Sequence, residues 1–218
     1  MNAPPAIERI VAVAGRNIVI RHYADIDPLI DAMTEAELRD EQIPYYGELW
    51  PASIGLARWL VTNRALATRS LLDLGCGAGL VGIAAALAGA RVCLADYLSP
   101  ALALAGENAS RNGVGDIAVE RLDWRSATWR RSFDLIAGSD VLYERRSHAP
   151  ILSLLGRCLD GGGEAILSDP GRGTLPAFVE KAEQAGFVVA RDTIALPDET
   201  GARAPVIQIL MLRQGAGT

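Results

Sequence analysis

Cysteine and histidine are scarce in this sequence, with three cysteines and two histidines in 218 residues. Cys76, Cys93 and Cys158 form no Cys-x-x-Cys pair, and only His22 and His148 could add imidazole ligands. An odd number of cysteines in apolar or glycine-rich surroundings predicts free thiols in a reducing compartment. We therefore expect no structural zinc and no other metal centre.

Long apolar runs are also lacking. The longest nearly apolar stretch, residues 75–90, is rich in glycine and alanine and is shorter than the roughly 20 residues that a bilayer requires. The opening MNAPPAIERI has no cationic start followed by an apolar run, as a targeting segment would have. These features predict a cytoplasmic protein that does not contact a membrane.

An excess of positive charge is absent as well: 21 basic side chains face 26 acidic ones, for a formal charge of −5. This balance works against non-specific binding to phosphate backbones and argues against a nucleic-acid partner. The strongest contrary signal is residues 121–131, RLDWRSATWRR, which are basic with interleaved aromatics. We interpret this segment as a solvated loop whose tryptophans pack inward.

Apolar residues are plentiful, at 50% of the chain, so the sequence can bury a substantial core and is not disordered. Length and composition predict one domain over residues 1–218. Within it, residues 1–69 form an N-terminal extension and residues 70–213 form the core. Two β-branched runs in residues 9–23 predict a hairpin around Gly15-Arg16-Asn17, and apolar spacing over residues 51–63 predicts a helix.

From residue 70 onward, short apolar runs alternate with helical stretches. Repeated β-α units of this kind predict an α/β fold with a parallel sheet and helices on both faces. Near the end, FVVARDTIAL and VIQILMLR are separated by a polar loop that is typical of a connection between antiparallel strands.

A glycine-rich turn follows the first strand of this core. Asp73 precedes Gly75, Gly77 and Gly79, and glycines at alternate positions allow a sharp turn and a close approach of backbone to ligand. The next strand ends at Asp96, at the spacing where an acidic side chain reaches the ribose hydroxyls of an adenosine ligand. Both features lie at the carboxyl ends of adjacent strands, where open α/β sheets bind ligands.

The chemical class of the ligand follows from charge rather than from spacing. Residues 77–82 also match G-x-G-x-x-G, the dinucleotide fingerprint, but the Asp73 carboxylate would face a negatively charged pyrophosphate at short range. S-adenosylmethionine carries an ammonium and a sulfonium instead, which a carboxylate attracts. We favour this methyl donor over a dinucleotide and over a purely structural turn.

The run LLDLGCGAGLVGIAAALAGARVCLADY resembles motifs I and II of class I S-adenosylmethionine-dependent methyltransferases. The resemblance implies a Rossmann-like, doubly wound, seven-stranded sheet with an antiparallel C-terminal strand, here preceded by the N-terminal hairpin and helix. It also implies that S-adenosylmethionine is the cofactor and S-adenosylhomocysteine the product. The implied donor-binding residues are Trp50, Asp73, Gly75, Gly77, Gly79, Asp96, Tyr97, Asp123, Trp124 and Ser139.

The segment after the fourth core strand indicates which atom accepts the methyl group. It lacks the Asn/Asp-Pro-Pro-Tyr/Phe turn of nucleic-acid amine methyltransferases. Asp140-Val141-Leu142-Tyr143 instead resembles the Asp-x-x-Tyr signature of seven-β-strand protein lysine methyltransferases. Residues 44–51, PYYGELWP, resemble the Trp-Pro segment of the same family, and most closely its electron-transfer flavoprotein β-subunit lysine methyltransferase branch. The resemblance implies transfer to a protein lysine ε-amine.

A lysine amine with a pKa near 10.4 is neutral about once in 10³ to 10⁴ molecules at pH 7, a cost of roughly 4 to 5 kcal/mol. Desolvation among Tyr45, Tyr46, Trp50 and Tyr143 would favour the neutral amine. We assign Asp140 to capturing and orienting the incoming ammonium and Tyr143 to positioning the amine, and we assign no general base.

Alternatives to protein lysine methylation stay open at this point. They are methylation of a small-molecule amine and a non-catalytic module that binds the donor without turnover. We interpret His148, in a Ser-His-Ala-Pro helix start, as a surface residue rather than a proton acceptor. We expect a protein substrate as the partner, and a monomer or weak dimer.

Overall fold

The computed structural model describes residues 5–39, 43–126, 128–197 and 204–215. The strands are β1 Ala6–Val13, β2 Arg16–Tyr23, β3 Ser70–Leu74, β4 Arg91–Asp96, β5 Ala118–Arg121, β6 Phe133–Ser139, β7 Leu159–Asp169, β8 Phe187–Ala195 and β9 Val206–Gln214. The helices are α1 Asp27–Asp31, α2 Glu35–Arg39, α3 Pro51–Asn63, α4 Leu80–Leu87, α5 Ser99–Arg111, α6 Arg145–Cys158 and α7 Leu175–Gln184.

Seven strands form the central sheet in the order β5-β4-β3-β6-β7-β9-β8. The pairs from β5 through β7 are parallel, and the C-terminal strand β9 runs antiparallel to both β7 and β8. The predicted sheet and its antiparallel final strand are therefore confirmed. The strand order reverses beside β3, so β3, β4 and β6 end together at one edge, where such sheets bind ligands.

Two apolar clusters cover the two faces of the sheet. Successive strand residues point to opposite faces, so Leu71 joins the cluster formed with α3, α4, α5 and the hairpin, whereas Leu72 joins the one formed with α6 and α7. The helices thus lie on both sides, as the β-α repeat predicts. Among the described residues, no helix is long and apolar enough to cross a bilayer.

The N-terminal hairpin is confirmed, and its turn lies one residue earlier than expected. Arg16 pairs with Val13, so the turn consists of Ala14 and Gly15, both with positive φ, the backbone that the right-handed twist of a two-residue hairpin favours. Asn108 of α5 and Asn112, the residue that follows this helix, hold the hairpin: each Oδ1 accepts a hydrogen bond at 2.9 Å from the β2 backbone.

Helix α3 is also confirmed. It begins at Pro51, whose fixed φ suits the first helical position. Its apolar face is buried, and Gly55 packs so closely that an added β-carbon would lie 2.9 Å from Ile207 Cγ1. The Trp59 indole donates a 2.7 Å hydrogen bond to Asp192 Oδ2 on β8. This packing fixes the segment that precedes α3 over the edge of the sheet.

The basic, aromatic segment around residues 121–131 is held by its tryptophans, although residue 127 lies outside the described residues. Trp124 and Trp129 are half-buried and pack against the apolar cluster that includes α6 and α7. Trp129 stacks on Phe133 with ring centroids 5.7 Å apart. The tryptophans therefore pack inward, as the interpretation of this segment expects.

Candidate active site

A cavity of about 360 Å³ opens at the carboxyl ends of β3, β4 and β6. It is lined by the glycine turn after β3, by the loop after β6 and by residues 43–50, which we call the cover segment. Strands placed side by side by the sheet thus bring together residues that lie about a hundred positions apart in sequence.

The glycine turn needs glycine for both conformation and space. Gly75, Gly77 and Gly79 have φ of 67°, 51° and 84°, a region that other residues rarely adopt. A β-carbon at Gly75 would lie 2.9 Å from Val141 Cγ1 and 3.3 Å from the Trp124 ring. Gly75 and Gly77 line the cavity, whereas Gly79 caps α4 beside it.

Replacing Gly75 with alanine is expected to weaken S-adenosylhomocysteine binding about tenfold or more, because the new methyl group is too close to Val141 and strains the positive φ. Isothermal titration calorimetry measures this. Gly106→Ala in α5 is the matched control, because an added β-carbon there meets nothing within 4 Å. Equal affinities in the two variants would show that the turn does not contact the donor.

Asp96 lies at the end of β4 with only 7% of its surface exposed. Its carboxylate accepts hydrogen bonds from the backbone of Gly77 at 3.2 Å and of Leu98 at 3.1 Å. Burial raises the pKa of Asp96, while the bonds from the backbone oppose that rise. The carboxylate therefore connects the glycine turn to the loop after β4 and faces the cavity between them.

Asp73 lies beneath the glycine turn and does not line the cavity. Its Oδ2 accepts a 2.8 Å hydrogen bond from the Gly82 amide in α4, and its Oδ1 has no partner among the described residues. Burial raises the pKa of Asp73 to about 7. The carboxyl group thus tethers α4 to the end of β3.

The raised pKa of Asp73 makes folding stability depend on pH. The folded state holds this proton more tightly than the unfolded state, so the contribution of Asp73 to stability is fully present below the ordinary pKa of an aspartate and is lost as the pH rises to about 7. Between about pH 5.5 and about pH 8 the expected loss is on the order of 2 kcal/mol. Asp73→Asn should abolish most of it, as measured by urea unfolding.

The control for this prediction is Asp134→Asn, which has the opposite sign. Hydrogen bonds from Ser70 lower the pKa of Asp134, so its stabilisation is present at neutral pH and is lost only as the pH falls through that lowered pKa. If Asp73→Asn leaves the slope of wild-type stability between about pH 5.5 and about pH 8 unchanged, Asp73 does not titrate there.

Aromatic rings line the cavity beyond Asp96. Tyr97 and Trp124 have ring centroids 6.4 Å apart and both face the cavity. Asp123 lies just outside it, where both of its oxygens accept hydrogen bonds from the Arg125 guanidinium at 2.7 to 3.0 Å. Burial raises the pKa of Tyr97 to about 12, so the phenol is neutral.

The cover segment brings a second aromatic group to the loop after β6. Tyr45 makes edge contacts with Trp50 at 6.1 Å and with Tyr143 at 5.8 Å between ring centroids. The Trp50 indole donates a 2.9 Å hydrogen bond to the Tyr45 carbonyl. Gly47 packs so closely against Tyr23 that an added β-carbon would lie 2.8 Å away, so the hairpin supports this segment from behind.

Asp140 stands at the end of β6 in the left-handed region, with φ of 54°. Its side chain is 8% exposed. Both carboxylate oxygens accept hydrogen bonds from Arg172, from Nε at 2.9 Å and from Nη2 at 2.9 Å. Because Asp140 accepts these bonds, the pKa of Arg172 is raised above its usual value. Asp140 thus faces the cavity as one half of a bidentate ion pair.

Tyr143 is half-buried at the same wall, and burial raises the pKa of its phenol well above the usual range. His148 lies behind this wall, fully buried, with Nε2 3.0 Å from the Leu142 carbonyl. The interpretation of His148 as a surface residue is therefore wrong. Helix α6 turns this side chain inward against Phe178, with ring centroids 5.2 Å apart, and burial lowers its pKa.

Most of the residues proposed from the sequence meet around one cavity. Those that line it are Trp50, Gly75, Gly77, Asp96, Tyr97, Trp124, Ser139, Asp140 and Tyr143. Asp73, Gly79 and Asp123 lie next to it and shape the loops that do. Sequence reasoning missed Glu48 and Arg172, which also line the cavity. A charged residue just beyond a strand end, as Arg172 is beyond β7, is the signal that could have indicated it.

Comparison with known proteins identifies the family. A family model described as lysine methyltransferase matches residues 37–174, which include the cover segment, the glycine turn and the Asp140–Tyr143 wall. The chain belongs to the lysine methyltransferase family. The predicted family and methyltransferase class are thereby confirmed.

The chain is also similar to individual methyltransferases of two kinds. The chain is 33% identical over 132 residues to the electron transfer flavoprotein beta subunit lysine methyltransferase of Danio rerio, covering 59% of this chain and 51% of the relative. It is 31% identical over 169 residues to a cypemycin N-terminal methyltransferase from Streptomyces, covering 75% and 68%. The chain thus spans about half the length of the flavoprotein-modifying relative.

Solved methyltransferase structures share the fold. The magnesium protoporphyrin IX methyltransferase of Synechocystis with bound SAM superposes with a TM-score of 0.59 at 23% identity, over 85% of this chain and 86% of that one. The ribosomal protein L11 methylase of Lactobacillus delbrueckii gives a TM-score of 0.58 at 23% identity, over 73% and 77%. The predicted fold class is confirmed by these neighbours.

Proposed function

We propose that this chain transfers the methyl group of S-adenosylmethionine to the ε-amine of a lysine in a partner protein. One observation carries the proposal. In a member of the lysine methyltransferase family, a single cavity joins a glycine turn and buried Asp96 at one end to Asp140 and Tyr143 under aromatic rings at the other. The first end suits an adenosine ligand, and the second suits an amine.

The donor end fits S-adenosylmethionine by its chemistry. Gly75 and Gly77 line the cavity with positive φ and no side chain, so the backbone of the turn can approach a ligand closely. The Asp96 carboxylate can accept hydrogen bonds from ribose hydroxyls. Tyr97 and Trp124 offer ring faces for the adenine. When bound, the donor supplies a methyl group on a positively charged sulfur. The sulfur keeps the electron pair of the broken S–C bond, so the leaving group is the neutral thioether S-adenosylhomocysteine.

The acceptor end would orient an amine and exclude water from it. The rings of Tyr45, Trp50 and Tyr143 form an apolar wall that disfavours a charged ammonium. The oxygen of the neutral Tyr143 phenol can accept a hydrogen bond from an N–H of the amine, which leaves the nitrogen lone pair free and in line with the reacting carbon. After the N–C bond forms, the extra proton on nitrogen leaves to solvent.

The α-amine of a protein or peptide N-terminus is the second candidate acceptor. The observation that favours it is the similarity to the Streptomyces N-terminal methyltransferase, which covers more of both chains than the flavoprotein match does. An α-amine has a pKa near 7.7 to 8.0, so the neutral form costs roughly 1 kcal/mol at pH 7 instead of 4 to 5. The aromatic rings would then need to supply less free energy to keep the amine in its neutral form.

The test is mass spectrometry of extract from cells lacking this enzyme, incubated with the enzyme and S-adenosylmethionine carrying a deuterated methyl group. Label on a lysine ε-amine supports the proposal, and label on an N-terminal α-amine supports the second candidate. Label on free metabolites alone would make it a small-molecule methyltransferase. Donor binding without labelled product would make it a non-catalytic module. The Asp140→Asn variant, incubated in the same way, is the control that measures labelling not caused by this active site.

The organisation of the chain is part of the same proposal. We take residues 1–218 as one methyltransferase domain, because buried hairpin residues such as Val13 and Ile18 share a cluster with α3, α4 and α5. The cytoplasmic location, the absence of nucleic-acid and membrane partners, and a monomer or weak dimer stay predictions of the sequence.

A further inference from the structure

The Asp140–Arg172 pair is built by two neighbouring strands. Strands β6 and β7 are paired up to Ser139 and Ser168, so the residues that follow each strand emerge side by side. Asp169 is the last residue of β7, and its buried Oδ1 accepts hydrogen bonds from the Gly171 amide at 2.7 Å and from the Arg172 amide at 2.6 Å. This turn aims the Arg172 side chain across to Asp140.

The pair changes the charge that an acceptor amine would meet. A free carboxylate beside an amine favours the ammonium, which has no lone pair and cannot accept a methyl group. The Arg172 guanidinium balances that charge at hydrogen-bond distance. A carboxylate has about four lone-pair positions, and Arg172 uses two of them. Asp140 can therefore still accept an N–H from the amine.

Other ionisable groups surround the pair on each side, and Arg172 is the one cationic side chain among the described residues that line the cavity. The surrounding groups are Tyr45, Tyr46 and Glu48 of the cover segment, Cys76 of the glycine turn, Asp96 and Tyr97 at the end of β4, Tyr143 and Glu144 of the β6 loop, and Asp169 at the end of β7. All of them are carboxyl, phenol or thiol groups, so without the Arg172 guanidinium the site would attract an ammonium.

We propose that Arg172 is a positioning residue that keeps Asp140 charge-balanced, so that the acceptor amine binds as the neutral base with its lone pair free. This rests on the proposed function, because it assumes that an amine occupies this end of the cavity. The competing explanation is structural: Arg172 would only hold Asp140 in its left-handed backbone conformation. The two differ in how binding depends on pH.

The experiment uses n-butylamine as a probe for a lysine side chain, titrated by NMR into the full chain saturated with S-adenosylhomocysteine. From about pH 7 to about pH 9 the neutral fraction of an alkylamine with a pKa near 10.4 rises about a hundredfold. Wild type should therefore bind the probe about tenfold or more tightly at the higher pH. Arg172→Gln should bind it more tightly than wild type at pH 7, with less than about threefold change over that range.

Three further variants make the result specific. Arg172→Lys retains a cation beside Asp140 and should keep the wild-type pH dependence. Arg145→Gln removes an exposed charge at the start of α6 and should also behave as wild type. Glu48→Gln removes the charge of the other ionisable cavity residue that sequence reasoning missed. If Glu48→Gln rather than Arg172→Gln alters the pH dependence, the assignment to Arg172 is overturned.

The remaining outcomes overturn the proposal as well. Probe affinity independent of pH in wild type would mean that the ammonium binds despite the pair. An unchanged pH dependence in Arg172→Gln would leave Arg172 a structural role only. Absence of probe binding in every protein would mean that the pair contacts no amine. Labelling of a lysine ε-amine in extract would still support the proposed function in each case, so the two failures are distinguishable.

Discussion

Asp140→Asn is expected to lower the rate of methyl transfer by about two orders of magnitude or more, while the affinity for S-adenosylhomocysteine changes less than about twofold. Asparagine tolerates the left-handed φ of this position, so the loop should keep its shape. The substitution removes the carboxylate that orients the amine, and it leaves Arg172 as an unbalanced cation beside it. Both effects act on the acceptor and not on the donor.

The matched control is Asp116→Asn, which removes an exposed carboxylate in the loop before β5. It should retain wild-type transfer and wild-type donor affinity. Transfer is measured with the labelled donor and a fixed amount of extract, and affinity is measured by calorimetry. If Asp140→Asn lowers both transfer and donor affinity, Asp140 belongs to the donor site and the division of the cavity into two ends is wrong.

Asp96→Ala is expected to weaken S-adenosylhomocysteine binding by roughly 1.5 to 3 kcal/mol, or about 10- to 150-fold, through loss of a charge-assisted hydrogen bond. The substitution also leaves the Gly77 and Leu98 amides without their acceptor. Asp96→Asn keeps one oxygen for these amides but removes the charge, so it should lie between alanine and wild type. Isothermal titration calorimetry measures the series.

Glu107→Gln, on the exposed side of α5, is the control for Asp96 and should bind the product as wild type does. Thermal unfolding without ligand separates a folding defect from a binding defect, since the two unpaired amides destabilise the alanine variant in either case. Unchanged affinity in Asp96→Ala would place the ribose somewhere other than the end of β4.

The sequence predicts the glycine turn and its position beside Asp96 because local rules determine this arrangement. Alternate glycines after a buried strand specify the turn at Gly75 and Gly77, and the sheet then places Asp96 on the next strand beside them. The same rules give the strands, helix α3 and the hairpin. The hairpin turn was misplaced by one residue because Ala14, which is not a typical residue for positive φ, occupies its first position.

The acceptor end is harder to predict because contacts between distant segments determine it. Arg172 lies 32 positions beyond Asp140, and only the pairing of β6 with β7 brings them together. His148 has polar neighbours in sequence, yet the rotation of α6 turns it toward Phe178 and the core. Asp73 belongs to the glycine motif in sequence, but its carboxylate accepts a hydrogen bond from Gly82 beneath the turn. The way α4 packs against the end of β3 determines this contact.

A crystal structure of the chain with S-adenosylhomocysteine tests the central claim most directly. We expect the ribose hydroxyls within about 2.6 to 3.2 Å of the Asp96 carboxylate, the adenine against Tyr97 or Trp124, and the sulfur on the side of the cavity that faces Asp140 and Tyr143. Product bound with its ribose away from Asp96, or with its sulfur turned from Asp140, would contradict the account.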